Sequence, residues 1–159
     1  MASKKFPYKA AYVACNKNCV VNLADPCTYG CVGCGQCVEA CKFDAIHINK
    51  AGVAEVDEAK CMACGKCAKV CPREVIHLHD IANSIVVTCS NHDAAALAKA
   101  KCSTSCIGCG LCEKTCTAGA IKVKDNLARI KDDLCLSCGM CAVKCARGAI
   151  RDLKGILTK

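Results

Sequence analysis

The chain has 159 residues, among them 21 cysteines, no tryptophan, two phenylalanines and three tyrosines. Lysines and arginines outnumber the acidic residues and give a formal net charge of +8. The length predicts one or two domains, and the shortage of aromatic residues excludes a core built on large rings. A core without large rings needs additional cross-links, so the cysteines are expected either to form disulfides or to bind metal.

The N-terminal sequence favours metal binding by the cysteines over disulfide formation. Residues 1–7 lack the apolar run of a signal peptide, and nothing in the sequence approaches the length of a membrane span. The most apolar stretch, residues 85–87, has only the length of a strand. We therefore expect a cytoplasmic, reducing location without a membrane span, in which thiols are available as ligands.

Four copies of one motif, C-x2-C-G-x-C-x3-C-x3-[A/V]-I, alternate along the chain with short predicted elements. The copies occupy residues 31–46, 61–76, 106–121 and 135–150. The last cysteine of each copy ends a segment that predicts one turn of helix: residues 38–41, 68–71, 113–116 and 142–145. Between the paired copies the pattern predicts two hairpins, with strands at residues 45–48 and 53–56, and at 120–123 and 127–130. An alanine-rich helix is predicted over residues 93–101, with Ser90 or Asn91 as its cap.

The chain is a tandem duplication. Residues 31–37 resemble residues 106–112 at an offset of 75, and after one deletion the second copy maps onto the fourth at an offset of 74. The repeat extends upstream, where Val13-Ala14-Cys15 maps onto Val87-Thr88-Cys89, so the repeated unit is about 75 residues long. We divide the chain into four parts: an N-terminal extension (1–26), a first module (27–80), a linker with a short helix (81–105), and a second module with the C-terminal tail (106–159).

The cysteine spacing predicts iron–sulfur clusters. Three cysteines at i, i+3 and i+6 can bind three irons of one cubane cluster, and a fourth on the following turn points at a different cluster, so the copies act in pairs. Zinc ordinarily uses two separated pairs, and disulfides fit neither the compartment nor the short spacing. Because every copy keeps its second cysteine, 4Fe–4S clusters are favoured over 3Fe–4S clusters; a zinc-bound scaffold is the non-redox alternative.

A glycine follows the second cysteine of every copy, at Gly35, Gly65, Gly110 and Gly139. We expect this loop to wrap closely around the cluster, where a Cβ would obstruct it. Sixteen thiolates on four oxidised cluster cores carry about −8 in total, which offsets the formal charge of +8. The basic residues beside the motifs are then counter-charge, and no nucleic-acid binding is expected.

These motifs resemble tandem bacterial two-cluster ferredoxins, or polyferredoxins, over about residues 27–159. The resemblance implies an α+β fold of two tandem ferredoxin-like dicluster modules, with small antiparallel hairpins and short helices around four 4Fe–4S clusters. It implies these four ligand sets: Cys31, Cys34, Cys37 and Cys71; Cys61, Cys64, Cys67 and Cys41; Cys106, Cys109, Cys112 and Cys145; Cys135, Cys138, Cys141 and Cys116. The family usually has proline after the last cysteine, but only Cys71-Pro72 does here. Local rigidity and reduction potential are expected to differ at the other three.

The flanks carry a narrower resemblance, to the soluble ferredoxin region of the Rnf complex B subunit. It rests on the repeated Val-x-Cys, on the linker sequence that starts at Cys89, and on C-x3-C-x2-C starting at Cys27 and Cys102. That family begins with a membrane anchor and an extra cluster domain, which we do not find in this sequence. The resemblance therefore implies a soluble relative, such as the iron–sulfur subunit of a tungsten aldehyde oxidoreductase.

Five cysteines lie outside the motifs: Cys15, Cys19, Cys27, Cys89 and Cys102. The simplest interpretation is that they pack as small buried apolar residues. An additional cluster, built from the first three plus a distant fourth ligand, is the alternative. The repeat argues against it, since neither half supplies a full set. A third possibility is that Cys27 or Cys102 replaces a neighbouring ligand.

The four histidines are potential ligands as well, because Rieske centres use histidine. His47, His77 and His79 lie on predicted strands, and His92 lies in the linker. Since the cysteine sets are already complete, we expect these side chains to occupy solvated strand faces.

The predicted function is electron transfer, with the chain as the iron–sulfur subunit of a cytoplasmic multi-subunit oxidoreductase. The sequence contains no nucleophile–base pair, phosphate loop or dinucleotide fingerprint, so the chain itself is not expected to be an enzyme. The expected partners are a catalytic redox subunit, holding tungsten, molybdenum or flavin, and a second electron carrier. Residues 1–26 and 151–159 would then be docking surface. A free-standing polyferredoxin shuttle is the alternative, although free shuttles of this family tend to be acidic.

Overall fold

The computed structural model of the chain describes residues 9–16 and 27–155. Its elements in the first half are β1 (Lys9–Val13), α1 (Gln36–Ala40), β2 (Ile46–Ile48), β3 (Ala54–Val56), α2 (Lys66–Val70) and β4 (Ile76–Asp80). In the second half they are β5 (Ile85–Val87), α3 (Ala95–Lys101), α4 (Leu111–Thr115), β6 (Ile121–Lys124), β7 (Leu127–Ile130), α5 (Met140–Lys144) and β8 (Ile150–Asp152). The predicted α+β fold of short helices and antiparallel hairpins is confirmed. Across the described ranges, no helix is long and apolar enough to cross a bilayer.

Both predicted hairpins are present. β2 pairs with β3, with Ile46 opposite Val56, and β6 pairs with β7, with Ile121 opposite Ile130. The first turn is held by Asn49, whose Oδ1 accepts hydrogen bonds from the backbone N–H groups of residues 51 and 53 at 3.0 and 3.2 Å. The first hairpin thus forms where alternating apolar residues flank a turn that asparagine stabilises.

Each half is completed by a strand that lies upstream of its first motif. β1 pairs antiparallel with β4, and β5 pairs antiparallel with β8. β1 falls in the predicted N-terminal extension, and β5 in the predicted linker. The four-part division of the chain remains a prediction, but the β1–β4 and β5–β8 sheets each draw one strand from a segment outside the predicted module.

The linker helix begins without the predicted cap. α3 starts after Ala94, which has no side-chain hydrogen bond to the helix. The Asn91 side chain accepts a hydrogen bond from the Asp93 backbone N–H at 2.7 Å and so forms a turn before the helix. The predicted capping by Ser90 or Asn91 is therefore wrong; alanine propensity and burial of Ala98 stabilise this helix instead.

Two small cores, one in each half, contain ligand cysteines as part of their apolar packing. Ile46, Val75 and Ile76 pack with Cys37 and Cys67 in the first half. The second core is its repeat, formed by these buried residues: Ile85, Val87, Cys112, Ile121, Leu127, Cys141 and Ile150. Among the described residues, neither core contains an aromatic ring, so each core is built from aliphatic side chains and the ligand cysteines.

The two halves meet through reciprocal contacts. Asn16 Nδ2 donates to Thr88 Oγ1 at 2.8 Å, and Ser90 Oγ donates to the Ala14 carbonyl at 3.0 Å. Under the repeat offset of 74, Asn16 corresponds to Ser90 and Ala14 corresponds to Thr88. Contacts that exchange partners in this way indicate an approximate two-fold relation between the halves.

Candidate iron–sulfur centres

Each motif wraps through a left-handed glycine directly into its helix. Gly35, Gly65, Gly110 and Gly139 precede the four motif helices with φ values of 80°, 72°, 73° and 72°. No heavy atom lies within 4 Å of a Cβ built at Gly35 or Gly110. The predicted obstruction concerns the bound cluster and stays a prediction. The residue is glycine because this backbone conformation disfavours a side chain.

A different pair of glycines meets a steric limit that sequence reasoning missed. A Cβ at Gly33 would lie 2.6 Å from the Gly52 carbonyl oxygen in the first hairpin turn. A Cβ at Gly108 would lie 2.8 Å from Asn126 Cα in the second hairpin turn. Glycine stands before the second cysteine only in the first and third motifs. This difference between the motifs was the sequence signal that could have indicated a close approach there.

The first ligand set implied by the resemblance surrounds one cavity. Cys31, Cys34 and Cys37, from the first motif, line a space of 330 Å³ together with Cys71 at the end of α2. Apolar residues of the two hairpin strands and of the loop after Cys71 complete the wall: Ile48, Ala54, Pro72, Val75 and Ile76. The structure therefore brings together three cysteines of one motif and the last cysteine of the next.

The second set surrounds an equivalent cavity. Cys61, Cys64 and Cys67 line a space of 320 Å³ together with Cys41 at the end of α1. The two helices contact each other, so their two terminal cysteines cross over between the two cavities. Four thiols around an apolar space of this kind fit a 4Fe–4S cluster, which requires four cysteine ligands and little water.

In the second half, Cys112 and Cys141 have neighbours that match part of the arrangement in the first half. Cys112 lies beside Cys106, Cys109 and Cys145, close enough for charge on those thiols to raise its pKa. Cys141 lies similarly beside the first two cysteines of its own motif, Cys135 and Cys138. Cys116 ends α4 as Cys41 ends α1.

Burial makes these thiols reluctant to ionise without a metal. It raises the pKa of Cys67, Cys112 and Cys141 to about 11, and neighbouring cysteines add to the rise. Thiolates are the form that binds iron, so assembly must displace protons from these groups. Within residues 9–16 and 27–155, no group of three or more His, Cys, Asp or Glu side chains is arranged to hold a single metal ion.

Exposure differs systematically along each motif. The second cysteine of every copy is exposed, whereas the third is buried; the exposed residues are Cys34, Cys64, Cys109 and Cys138. Each cavity therefore has one edge close to the surface. Electron exchange with a partner across such an edge needs no opening of the fold.

The histidines are structural, though not all are solvated. His47 is exposed beside Glu55, but His79 is only 2% exposed. Its Nδ1 lies 3.0 Å from the Asn83 carbonyl oxygen, and its Nε2 lies 3.3 Å from Glu58 Oε1. The predicted solvated strand face is therefore wrong for His79. None of the four histidines lines the cavities that contain Cys31, Cys61 or Cys89 within residues 9–16 and 27–155.

Four of the five cysteines outside the motifs share a third cavity. Cys15, Cys27, Cys89 and Cys102 line a space of 320 Å³ between the two halves. Cys19 lies outside the described residues. Sequence reasoning missed this association because each half supplies only two of the four thiols.

Comparison with known families identifies the two halves. The family described as "4Fe-4S dicluster domain" matches residues 27–78, and a second family of the same description matches residues 105–150. The chain carries two 4Fe–4S dicluster domains. Two such domains account for the predicted four clusters and make the chain an electron-transfer protein.

The relatives are B subunits of ion-translocating complexes. The chain is 43% identical over 107 residues to the B subunit of the Na(+)-translocating ferredoxin:NAD(+) oxidoreductase complex of Acetobacterium woodii, covering 67% of this chain and 32% of that protein. It is 43% identical over 107 residues to the B subunit of the ion-translocating oxidoreductase complex of Methanosarcina acetivorans, covering 67% and 40%. It is 38% identical over 133 residues to the B subunit of the proton-translocating ferredoxin:NAD(+) oxidoreductase complex of Clostridium ljungdahlii, covering 84% and 47%. The chain spans about a third to a half of the length of these relatives, and the predicted homology to the ferredoxin region of the Rnf B subunit is confirmed.

Proposed function

We propose that this dicluster protein conducts single electrons through four 4Fe–4S clusters, as the iron–sulfur subunit of a cytoplasmic multi-subunit oxidoreductase. The observation that carries the proposal is the crossing of Cys41 and Cys71 between the two cavities of the first half. This crossing supports two cluster sites that share one pair of contacting helices. An electron can then pass between them without any movement of the protein.

A bound 4Fe–4S cluster supplies one-electron redox chemistry without making or breaking covalent bonds. The residues of this chain do the rest. The sixteen motif cysteines hold the clusters as thiolates, in the four crossed sets that the family resemblance implies. Apolar neighbours such as Ile48, Val75 and Ile76 exclude water from the first site, and solvent access is one of the factors that set a cluster's potential.

Exposed apolar side chains favour a bound subunit over a free shuttle. Leu136, within the fourth motif, is 76% exposed, and Leu134 and Met140 beside it are 44% and 46% exposed. Apolar side chains grouped around one cluster loop suit a stable protein interface. The charge supports the same choice, because the clusters cancel the formal +8 and leave a surface without the acidic excess typical of a free carrier.

The partner proposed for this surface is a catalytic redox subunit containing tungsten, molybdenum or flavin, with a second soluble carrier at the other end of the chain. The relatives are named as subunits of ferredoxin:NAD(+) oxidoreductase complexes, which is consistent with a role inside an assembly. In this arrangement the chain conducts electrons and catalyses no reaction itself. The catalytic step belongs to the partner.

Anaerobic purification from native extract tests the proposal. A tagged chain should co-elute with a redox enzyme at fixed stoichiometry, and Leu136→Ser should weaken that association while the iron content stays unchanged. Met62→Ser, in the equivalent position of the second motif and outside this apolar group, is the control. A monomer that elutes alone and exchanges electrons with several unrelated enzymes would favour the shuttle instead.

A further inference from the structure

The third cavity has the composition of a cluster site. Its four thiols, from Cys15, Cys27, Cys89 and Cys102, surround a space of 320 Å³. The two cavities lined by motif cysteines in the first half measure 330 and 320 Å³. The three spaces are therefore alike in size and in having four cysteines in their lining.

The repeat explains how the set is assembled. Cys15 corresponds to Cys89 and Cys27 corresponds to Cys102, and the two halves meet through the reciprocal contacts of Asn16 and Ser90. At an approximate two-fold axis, two ligands from each half are sufficient to make four. The absence of a complete set in either half, which in the sequence argued against a cluster, is what a shared site requires.

Polar groups around the cavity suit a negatively charged sulfur-rich occupant. Cys89 Sγ accepts hydrogen bonds from the backbone N–H groups of Asn91 and Cys106 at 3.5 and 3.3 Å. The Asn91 side chain lines the cavity and is 1% exposed, and its Nδ2 has no hydrogen-bond partner among the described residues. A buried amide donor without an acceptor is costly. The sulfur atoms of a cluster or its thiolates would satisfy it.

Two equivalent arginines bring positive charge to the loops that carry the ligands. The Arg73 guanidinium donates a hydrogen bond to the Thr28 carbonyl, next to Cys27. The Arg147 guanidinium donates to the Cys102 carbonyl at 2.6 Å. These arginines occupy the same position after the last cysteine of the second and fourth motifs. Each half therefore contributes one counter-charge to an occupant that would carry a net negative charge.

We propose that Cys15, Cys27, Cys89 and Cys102 bind a fifth 4Fe–4S cluster at the boundary between the two halves. The site adjoins both modules. Cys27 precedes the first-module ligand Cys31 by four residues, and the backbone N–H of Cys106, the first ligand of the second module, donates to Cys89 Sγ. The fifth cluster joins two separate pairs of clusters into one continuous path.

Its role in conduction is a one-electron relay. A 4Fe–4S cluster held by these four cysteines would supply one-electron redox chemistry between the Cys31 set and the Cys106 set. No bond forms or breaks, and no proton is required. This relay rests on the proposed function, whereas cluster binding in the cavity does not.

Iron and acid-labile sulfide analysis of the anaerobically reconstituted full chain tests the site. The expected content is about 20 iron and about 20 sulfide per chain, since each 4Fe–4S cluster contributes four of each. A content of about 16, or about 16 with one zinc, overturns the fifth cluster. The count on the unsubstituted chain stands whether or not any variant folds.

Variants then test the ligands. Cys27→Ala with Cys102→Ala should lower the iron content by about four and leave about 16. Cys19→Ala, a cysteine outside the proposed set, is the matched control and should keep about 20. Loss of four irons in the control, or full iron content in the double variant, overturns the assignment.

Alkylation of the intact holoprotein gives a second measurement that does not depend on variants. With iodoacetamide under native anaerobic conditions, Cys15, Cys27, Cys89 and Cys102 should stay unmodified, and all four should react after the iron is chelated under denaturing conditions. Modification of the half-buried Cys15 and Cys27 in native protein that keeps about 16 irons would refute the fifth site and leave the proposed function standing. Iron content well below about 16 would instead count against the four motif sites and the function built on them.

Discussion

Replacing Gly33 by alanine should destabilise the first cluster loop far more than the same change at Gly35. Both residues have left-handed backbone, with φ of 66° and 80°. The conformational cost of a side chain, about 1 kcal/mol, is therefore common to both. Only at Gly33 does the new Cβ fall 2.6 Å from the Gly52 carbonyl oxygen, while at Gly35 it meets open space.

The additional cost at Gly33 is that of moving the hairpin turn by several tenths of an ångström. Overpacking of this kind costs about 2 kcal/mol, which corresponds to about a thirtyfold change in rate. The backbone of the hairpin turn cannot rotate away as the end of a flexible side chain could. We therefore expect Gly33→Ala to lose its clusters about thirty times faster than Gly35→Ala.

The assay is the bleaching of cluster absorbance in moderate guanidinium under anaerobic conditions. A rate is the suitable quantity because loss of clusters is irreversible. Ala63 occupies the position of Gly33 in the second motif, with φ of 52°, and Ala63→Gly serves as the control, with a small change expected. Equal bleaching rates for the Gly33 and Gly35 variants would refute the argument from close approach.

Three further outcomes are expected. Cys41→Ala and Cys64→Ala should each lower the iron content by about four, and the double variant should also lose only about four, because both residues line one cavity. Cys41→Ala combined with Cys34→Ala should lose about eight irons, because these residues line different cavities. Equal iron losses in the two double variants would contradict crossed ligation. Glu74→Gly should slow cluster loss by raising its activation barrier by up to about 1 kcal/mol, because Glu74 has a φ of 52° at a position where the second module has glycine. Faster cluster loss would show that the side chain of Glu74 matters more than its backbone conformation. Burial raises the pKa of Cys112 to about 11, which favours the protonated thiol in the folded chain. Because the thiolate is the form that binds iron, iron uptake should accelerate as pH rises from about 7 to about 9. A flat or falling rate of uptake over this range would contradict the argument.

The local elements were predictable because each depends on nearby residues. The hairpin around Asn49 follows from alternating apolar residues and an asparagine turn, and the motif helices follow from the spacing of the cysteines. The position of the glycine after the second cysteine was identified correctly from the spacing, and the left-handed φ of 80° at Gly35 is one reason for the residue. Obstruction of a Cβ by the bound cluster stays a prediction.

Features that depend on how distant segments meet were not predictable. The strand that pairs with β4 lies more than 60 residues upstream of it, and nothing in its sequence selects that partner. His79 was expected on a solvated strand face because the cysteine sets were already complete, yet Glu58 and Asn83 enclose it. The four cysteines of the third cavity follow the repeat, but a repeat alone does not reveal that the halves are related by a two-fold axis.

The central claim, conduction through cysteine-held 4Fe–4S clusters, is tested most directly by an anaerobic reductive titration of the full chain followed by EPR spectroscopy. The account predicts a brown protein whose cluster absorbance bleaches on uptake of at least about four electrons per chain, with signals of reduced 4Fe–4S clusters that interact magnetically within each module. A colourless zinc protein would contradict it. So would a chain that accepts fewer than about four electrons when its full iron content is present.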